Sequence, residues 1–314
     1  MRTIVLVVCV AALAWAAPPA WADRGEVRQG WVRSEALDAG PSFTCAITTA
    51  GTARCWGDNS HGQSSPPSGL GPVIAISAGI YHACAITIAS KAVCWGDNEY
   101  GQITPPPGLG EITAISAGGY HTCAITLAGT VACWGDNEYG KSSPPPGLGP
   151  ITAVSAGERH TCAITTAGTA VCWGDDTFGQ SSPPSGLGPV TAIDNGAVAS
   201  HTCAIKTDGM AVCWGFDDKG QADAPPGLGE VVAISAASHH TCAITRGGDV
   251  NCWGDAQRSP PHGLGKVVAL SSDYLHSCAV TTGGTAVCWG DDVIEGQGET
   301  PAGVAALTGL AGGL

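Results

Sequence analysis

Two cysteines ten residues apart, the second always followed by Trp-Gly, recur seven times along this chain and limit what it can fold into. The first cysteines are Cys45, Cys84, Cys123, Cys162, Cys203, Cys242 and Cys278, at intervals of 39, 39, 39, 41, 39 and 36 residues. The second are Cys55, Cys94, Cys133, Cys172, Cys213, Cys252 and Cys288. A period near forty residues, with no sustained helical periodicity after the first twenty, means an array of small sheets that bury a core only by stacking on one another.

One unit shows why. In His121 to Gly140, HTCAITLAGTVACWGDNEYG, two short β-prone runs flank a turn containing glycine, the pattern of a hairpin. With Cys123 opposite Cys133, Thr126 faces Thr130 and the loop is Leu127-Ala128-Gly129, whose last residue must be left-handed. Gly51, Gly168, Gly209, Gly248 and Gly284 stand at the same place, whereas Ser90 departs, so its turn is expected to be strained or differently shaped. Facing residues on antiparallel strands lie about 4.5–5.5 Å apart, within reach of a disulfide. A further alternating run such as Ile112 to Gly118 precedes each hairpin, and a linker such as Pro105-Pro106-Pro107-Gly108-Leu109-Gly110 follows, where pairing must stop. Hairpins fall at about 43–57, 82–96, 121–135, 160–174, 201–215, 240–254 and 276–290. Seven units of three or four short strands predict an all-β, seven-bladed β-propeller with one disulfide inside each hairpin.

Compartment and charge narrow the functions. Met1-Arg2, the apolar run Ile4 to Ala17 and an Ala-x-Ala ending at Ala22 read as a secretory signal over residues 1–22, with the propeller over 23–314. That run is too short for a membrane span. Of 15 cysteines, Cys9 lies inside the signal, and the rest pair evenly, as expected in an oxidising, secreted or periplasmic setting. A metal reading of His-x-Cys…Cys is weaker: it offers three ligands per unit and no evident fourth. A net charge of −13, with only 13 lysines and arginines scattered singly, disfavours nucleic acid and anionic membrane surfaces.

The copies are not identical. Residues 23–42 form an irregular first unit, with Phe43 in place of histidine. Asp194 to Ser200 carries two extra residues and is expected to protrude; the sixth unit lacks its Gly-Gln element. The tail, residues 302–314, resembles the opening of an eighth unit, and its 304–310 stretch is expected to close the ring against the first hairpin, because open strand edges invite aggregation.

Residues recurring in nearly every unit do blade-level work. His82, His121, His160, His201, His240 and His276 read as hydrogen-bonding fasteners between strands or loops. Asp58, Asp97, Asp136, Asp175, Asp255 and Asp291 close turns through their own backbone, with Phe216 interrupting the series. The Trp-Gly tryptophans supply packing between blades. Catalysis needs one asymmetric constellation, which repetition argues against, so neither enzyme activity nor a metal or cofactor is expected. What varies is the residue pair before each histidine and the loop before Gly-Gln. Tyr81, Tyr120, Arg159, His239 and Tyr274 stand in the first series, and Tyr100, Tyr139 and Phe178 in the second. Aromatic residues and arginine are what protein interfaces concentrate, so these eight are the candidate partner-binding residues of a monomeric scaffold.

The copies Gly-x-x-His-x-Cys-Ala-Ile…Cys-Trp-Gly-Asp-Asn-x-x-Gly-Gln resemble the repeats of the regulator of chromosome condensation family. The Pro-Pro-x-Gly-Leu-Gly linkers and Val-Thr-Ala-Ile-Ser-Ala-Gly strands look most like those of its secreted bacterial propellers that inhibit β-lactamases. The resemblance implies seven blades and, as function, capture of a macromolecular partner, with a secreted or periplasmic hydrolase the first to try. An extracellular carbohydrate- or cell-wall-binding module is the alternative. Nucleotide exchange on a small GTPase, the role of the founding nuclear members, fits an exported, acidic chain poorly.

Overall fold

The computed structural model describes residues 36–255, 259–274 and 276–290. It holds seven antiparallel sheets of three strands, each contributed by one consecutive unit. In the third blade the strands are Ile112–Ala117, His121–Thr126 and Val131–Gly135. Cys123 pairs with Cys133 in the register of the second and third strands, and Thr126 N–H donates to the Thr130 carbonyl across the turn. All seven cysteine pairs are disulfides within their hairpins, with Cα atoms 4.0 to 4.1 Å apart. Three residues in from the hydrogen-bonded Thr126–Thr130 pair, the cysteines occupy a position without ladder hydrogen bonds, where strands approach most closely. Each bridge closes a short loop and stabilises its hairpin by about 2–3 kcal/mol.

The turn geometry follows the glycine pattern. Gly129 has φ 77° and Ser90 keeps the same turn at φ 57°. Serine is thus held left-handed, the strained outcome rather than a new shape.

First strands ring the axis. The Ala117, Ala156 and Asn195 backbone N–H groups donate to Ser77, Ser116 and Ser155 Oγ of the preceding blade at 3.0, 2.9 and 3.2 Å. The ring closes between blades one and seven. The hydroxyl of Ser271 donates to Asp38 Oδ1 at 2.7 Å and accepts from Ala39 N–H at 3.0 Å, while Leu37 and Trp56 pack with Ala269 and Val280. The expected closing strand at 304–310 lies outside the described residues.

The fifth-unit insertion does not protrude. Asn195, Ala197 and Ala199 are buried, the Asn195 amide donates to the His160 carbonyl at 3.3 Å, and a Cβ at Gly196 would stand 2.1 Å from the Ala236 carbonyl oxygen. Small side chains let the longer loop turn inward between blades, where extra length alone suggested the opposite.

Blades join through a repeated relay. Trp134 Nε1 and Thr122 Oγ1 both donate to the Gln102 carbonyl of the preceding blade at 2.8 Å, and the Lys141, Gln180 and Gln221 carbonyls receive the next blade's pair in the same way. Having spent its hydrogen on that carbonyl, each threonine must accept from histidine Nε2: His82 to Thr122 at 2.9 Å, His121 to Thr161 at 2.8 Å, His160 to Thr202 at 2.8 Å and His201 to Thr241 at 2.7 Å. The histidines are therefore fasteners between blades, in the Nε2–H tautomer. Their Nδ1 atoms meet no donor among the described residues. Where the sixth unit lacks its glutamine, Ser277 accepts from His240 and donates to Ser272 Oγ at 2.9 Å instead. Between blades one and two the relay is replaced: Phe43 stands for histidine, Ala83 stands for threonine, and the two pack in one apolar cluster. The tryptophans fill the same seams, as Trp173 does against Ala114, Ile125, Ile151 and Ala163.

Two outcomes follow. Thr161→Ala leaves the buried His121 Nε2–H without an acceptor and should destabilise the fold by about 2–3 kcal/mol; adding His121→Phe recreates the Phe43–Ala83 pairing and should restore most of that loss, read as coupling in a double-mutant denaturation cycle. Burial holds His121 and His160 at a pKa of about 3 and His82 and His201 at about 4, against 6.5 for the ordinary side chain. Lys141 deepens the shift at His121 and His201 at His160, while Asp97 opposes it at His82 and Asp194 at His201. Because the unfolded chain binds these protons first, stability is complete above about pH 6.5 and falls as pH drops toward 4, by about 1.4 kcal/mol per pH unit for each histidine. Melting temperature measured against pH should show this slope, shallower in the His121→Phe/Thr161→Ala variant.

Candidate functional site

The variable residues sit on loops whose shape the frame dictates. In the first four blades the aspartate after Trp-Gly turns the chain by accepting from the N–H two residues on, as Asp58 Oδ1 does from Ser60 at 2.8 Å and Asp97 Oδ1 from Glu99 at 3.3 Å. The glutamine five residues later clamps the turn. Its amide NH2 donates to the same aspartate, Gln63 to Asp58 at 2.7 Å and Gln102 to Asp97 at 2.9 Å. Its amide oxygen accepts the loop N–H of His61, Tyr100, Phe178 or Lys219, two residues before the glutamine in each case. The aspartate's own N–H donates to the residue before histidine, as Asp97 does to the Tyr81 carbonyl at 2.8 Å, so both variable series emerge on one face.

On that face the two series meet across the seams, each loop residue touching the residue about twenty positions later on the next blade. His61 and Tyr81 ring centroids are 4.7 Å apart, Tyr100 and Tyr120 5.6 Å, and the Arg159 guanidinium lies 5.8 Å from the Tyr139 centroid. His239 Nδ1 is 3.7 Å from Asp218. Tyr81 to Tyr120, at 6.1 Å, links the first two pairs into one cluster. Tyr100, Tyr139 and Phe178 are about half exposed, at 49%, 50% and 52%. Tyr81 and Tyr120 lie lower, and burial, reinforced by Tyr81 and Glu158, raises the Tyr120 phenol pKa. Tyr274 is exposed, with its N–H donating to Asp273 at 2.6 Å, and it joins none of these ring contacts.

Three residues outside the candidate set belong to this face. His61 stacks on Tyr81, and Phe216, which breaks the aspartate series, packs on Phe178 at 4.7 Å while Gln221 turns to Asp218 at 3.3 Å. The third is Lys141, in the glutamine position of the third blade. Its ammonium reaches Asp136 Oδ2 at 2.6 Å and lies 5.8 Å from the Tyr120 centroid, with the side chain buried. An ammonium replaces the glutamine's donor and not its acceptor, so the Tyr139 N–H loses its partner and the chain adopts φ 61° at Tyr139 in the short 3-10 turn Glu138–Gly140. Tyr139 still meets Arg159, as Tyr100 meets Tyr120 from a clamped loop. Lysine at a position otherwise held by glutamine was a visible signal.

Known families fit this architecture. The model described as the regulator of chromosome condensation (RCC1) repeat matches residues 35–63, 73–102, 112–141, 151–180, 196–221 and 231–258, more than half of the chain. The chain belongs to the RCC1 repeat family. Among solved structures, this RCC1-repeat protein is similar to the ectodomain of the Physcomitrella patens receptor kinase CR4, with 27% identity, TM-score 0.69, and coverage of 82% of this chain and 72% of that one. It is similar to the CRINKLY WD40 ectodomain of the Arabidopsis thaliana receptor kinase ACR4, with 25% identity, TM-score 0.68, and coverage of 82% and 95%. Yeast RCC1 (Prp20), in its complex with Kap60, shares the fold at 16% identity, TM-score 0.64, and coverage of 92% and 86%. No curated protein matches the sequence. Among the described residues no helix is long and apolar enough to cross a membrane, and no group of three or more His, Cys, Asp or Glu could hold a metal ion.

Lys141→Gln should restore the amide clamp and return Tyr139 to negative φ, leaving stability within about 1 kcal/mol. A crystal structure of the variant reads the dihedral directly.

Proposed function

We propose that this RCC1-repeat propeller is a non-enzymatic, extracytoplasmic scaffold that captures a protein partner on the face bearing the variable loops. The observation that carries this reading is the pairwise meeting of those loops across the seams: Tyr100 on Tyr120, Tyr139 on Arg159 and His61 on Tyr81. Residues that differ from blade to blade gather on a frame that otherwise repeats. Rings and guanidinium groups there remain partly open to solvent, as at protein interfaces. Seven disulfides and similarity to receptor ectodomains support an extracytoplasmic setting. The recurring histidines and aspartates are engaged in seams and turns, so their presence does not call for chemistry.

A secreted or periplasmic hydrolase, with β-lactamases first, is the partner class to try, on the strength of the linker and strand resemblance. Replacing Tyr81, Tyr120 and Arg159 together by alanine should abolish partner capture from culture supernatant while leaving the melting temperature within a few degrees. Capture that survives the triple change sinks the assignment to this face. Retention on insoluble glycans that survives it would favour a carbohydrate-binding module instead.

A further inference from the structure

We propose that the partner docks on the aromatic arc of the loop face through a lysine- and arginine-rich surface of its own. This deepens the protein-capture reading and rests on it. The arc supplies exposed apolar area at Tyr100, Tyr139 and Phe178, and a patch of this kind marks a contact surface. Charge identifies what covers it.

Carboxylates beside these rings exceed what the loops need. The residue after the turn aspartate is Asn59, Asn98 or Asn137 in blades one to three, and its Oδ1 accepts the N–H of Ser64, Ile103 or Ser142. In blades four and five the same position holds Asp176 and Asp217, accepting from Ser181 at 2.8 Å and Ala222 at 2.7 Å. An amide oxygen performs this task elsewhere in the same molecule, so the negative charge is additional to the structural role. Glu99 and Glu138 likewise serve the turn through their backbones, by their N–H groups and, at Glu138, by the carbonyl that accepts from Lys141 N–H.

Basic side chains on this face are already matched: Lys141 with Asp136, Arg159 with Glu158 at 3.4 Å and Lys219 with Asp218 at 3.7 Å. Among the described residues, none pairs with Glu99, Glu138, Asp176 or Asp217. The opposite, hairpin-tip face is balanced, with Asp208 against Lys206 at 3.1 Å, Asp249 against Lys266 at 2.7 Å and Glu230 against Arg246 at 2.5 Å. Unmatched negative charge therefore lies beside the exposed rings. Those rings also take cations from within the molecule, Tyr120 from Lys141 and Tyr139 from Arg159, each 5.8 Å from the centroid. A basic surface would find both long-range attraction and ring faces to settle on.

The test is the variant Glu99→Gln/Glu138→Gln/Asp176→Asn/Asp217→Asn, which removes the charges and keeps the backbone N–H acceptors; the Ser182 hydroxyl, a donor to Asp176, then accepts from the amide as Ser65 does from Asn59. The probes are egg-white lysozyme, a basic protein, and its succinylated, acidic form. Lysozyme should slow amide exchange in the loops and not at the hairpin tips, weakly at high salt. The variant should bind about tenfold or more less tightly with an unchanged melting curve. Equal binding by the variant, equal binding of the succinylated form, or protection at the hairpin tips would overturn the proposal. The protein captured from supernatant separates the two readings. If it is lost with the Tyr81/Tyr120/Arg159 change and kept by the charge variant, only this inference falls; if kept by both, the capture reading falls too.

Discussion

Each seam from the second to the sixth blade depends on one backbone carbonyl. That of Gln102 accepts both the Trp134 indole and the Thr122 hydroxyl of the next blade, while the glutamine side chain fastens the Asp97 turn and the Tyr100 N–H. One residue thus couples inter-blade packing to loop shape. A buried polar network is an asset only when its members are satisfied, and the molecule shows both solutions: the full relay, and its removal in favour of Phe43 against Ala83. The histidine tautomer is a by-product of the threonine's single hydrogen already being committed.

Much of this was legible before any coordinates. Cysteine spacing gave facing partners, the glycine at the turn gave the hairpin loop, and seven copies gave the RCC1-like propeller, because these signals lie within one unit. Histidine and aspartate were readable as fasteners and turn formers. Their partners were not, since His121 bonds Thr161 forty residues away. The simultaneous change to Phe43 and Ala83 in neighbouring copies held that pairing, but only a comparison offset by one unit exposes it.

One expectation fails for a plain reason. The insertion before His201 was read by its length, whereas its composition of alanine and glycine allows it to tuck inside, where Asn195 reaches the His160 carbonyl. Tyr274 shares the pre-histidine position and is exposed, but the sixth unit before it lacks the Gly-Gln element that shapes the loops facing Tyr81, Tyr120 and Arg159. Lys141 shows the converse. A one-residue departure from pattern reorients a loop because its ammonium cannot accept a hydrogen bond.

The meeting of tips across seams has a consequence for how such a surface can diversify. A tip belongs to one blade, but its contact belongs to two, so the unit of variation is the junction between neighbours. Rewriting His61 obliges an answer from Tyr81 and leaves the distant Asp218–His239 junction untouched. The face behaves as a row of separately adjustable couplings, and new combinations can accumulate one joint at a time without reopening the scaffold beneath.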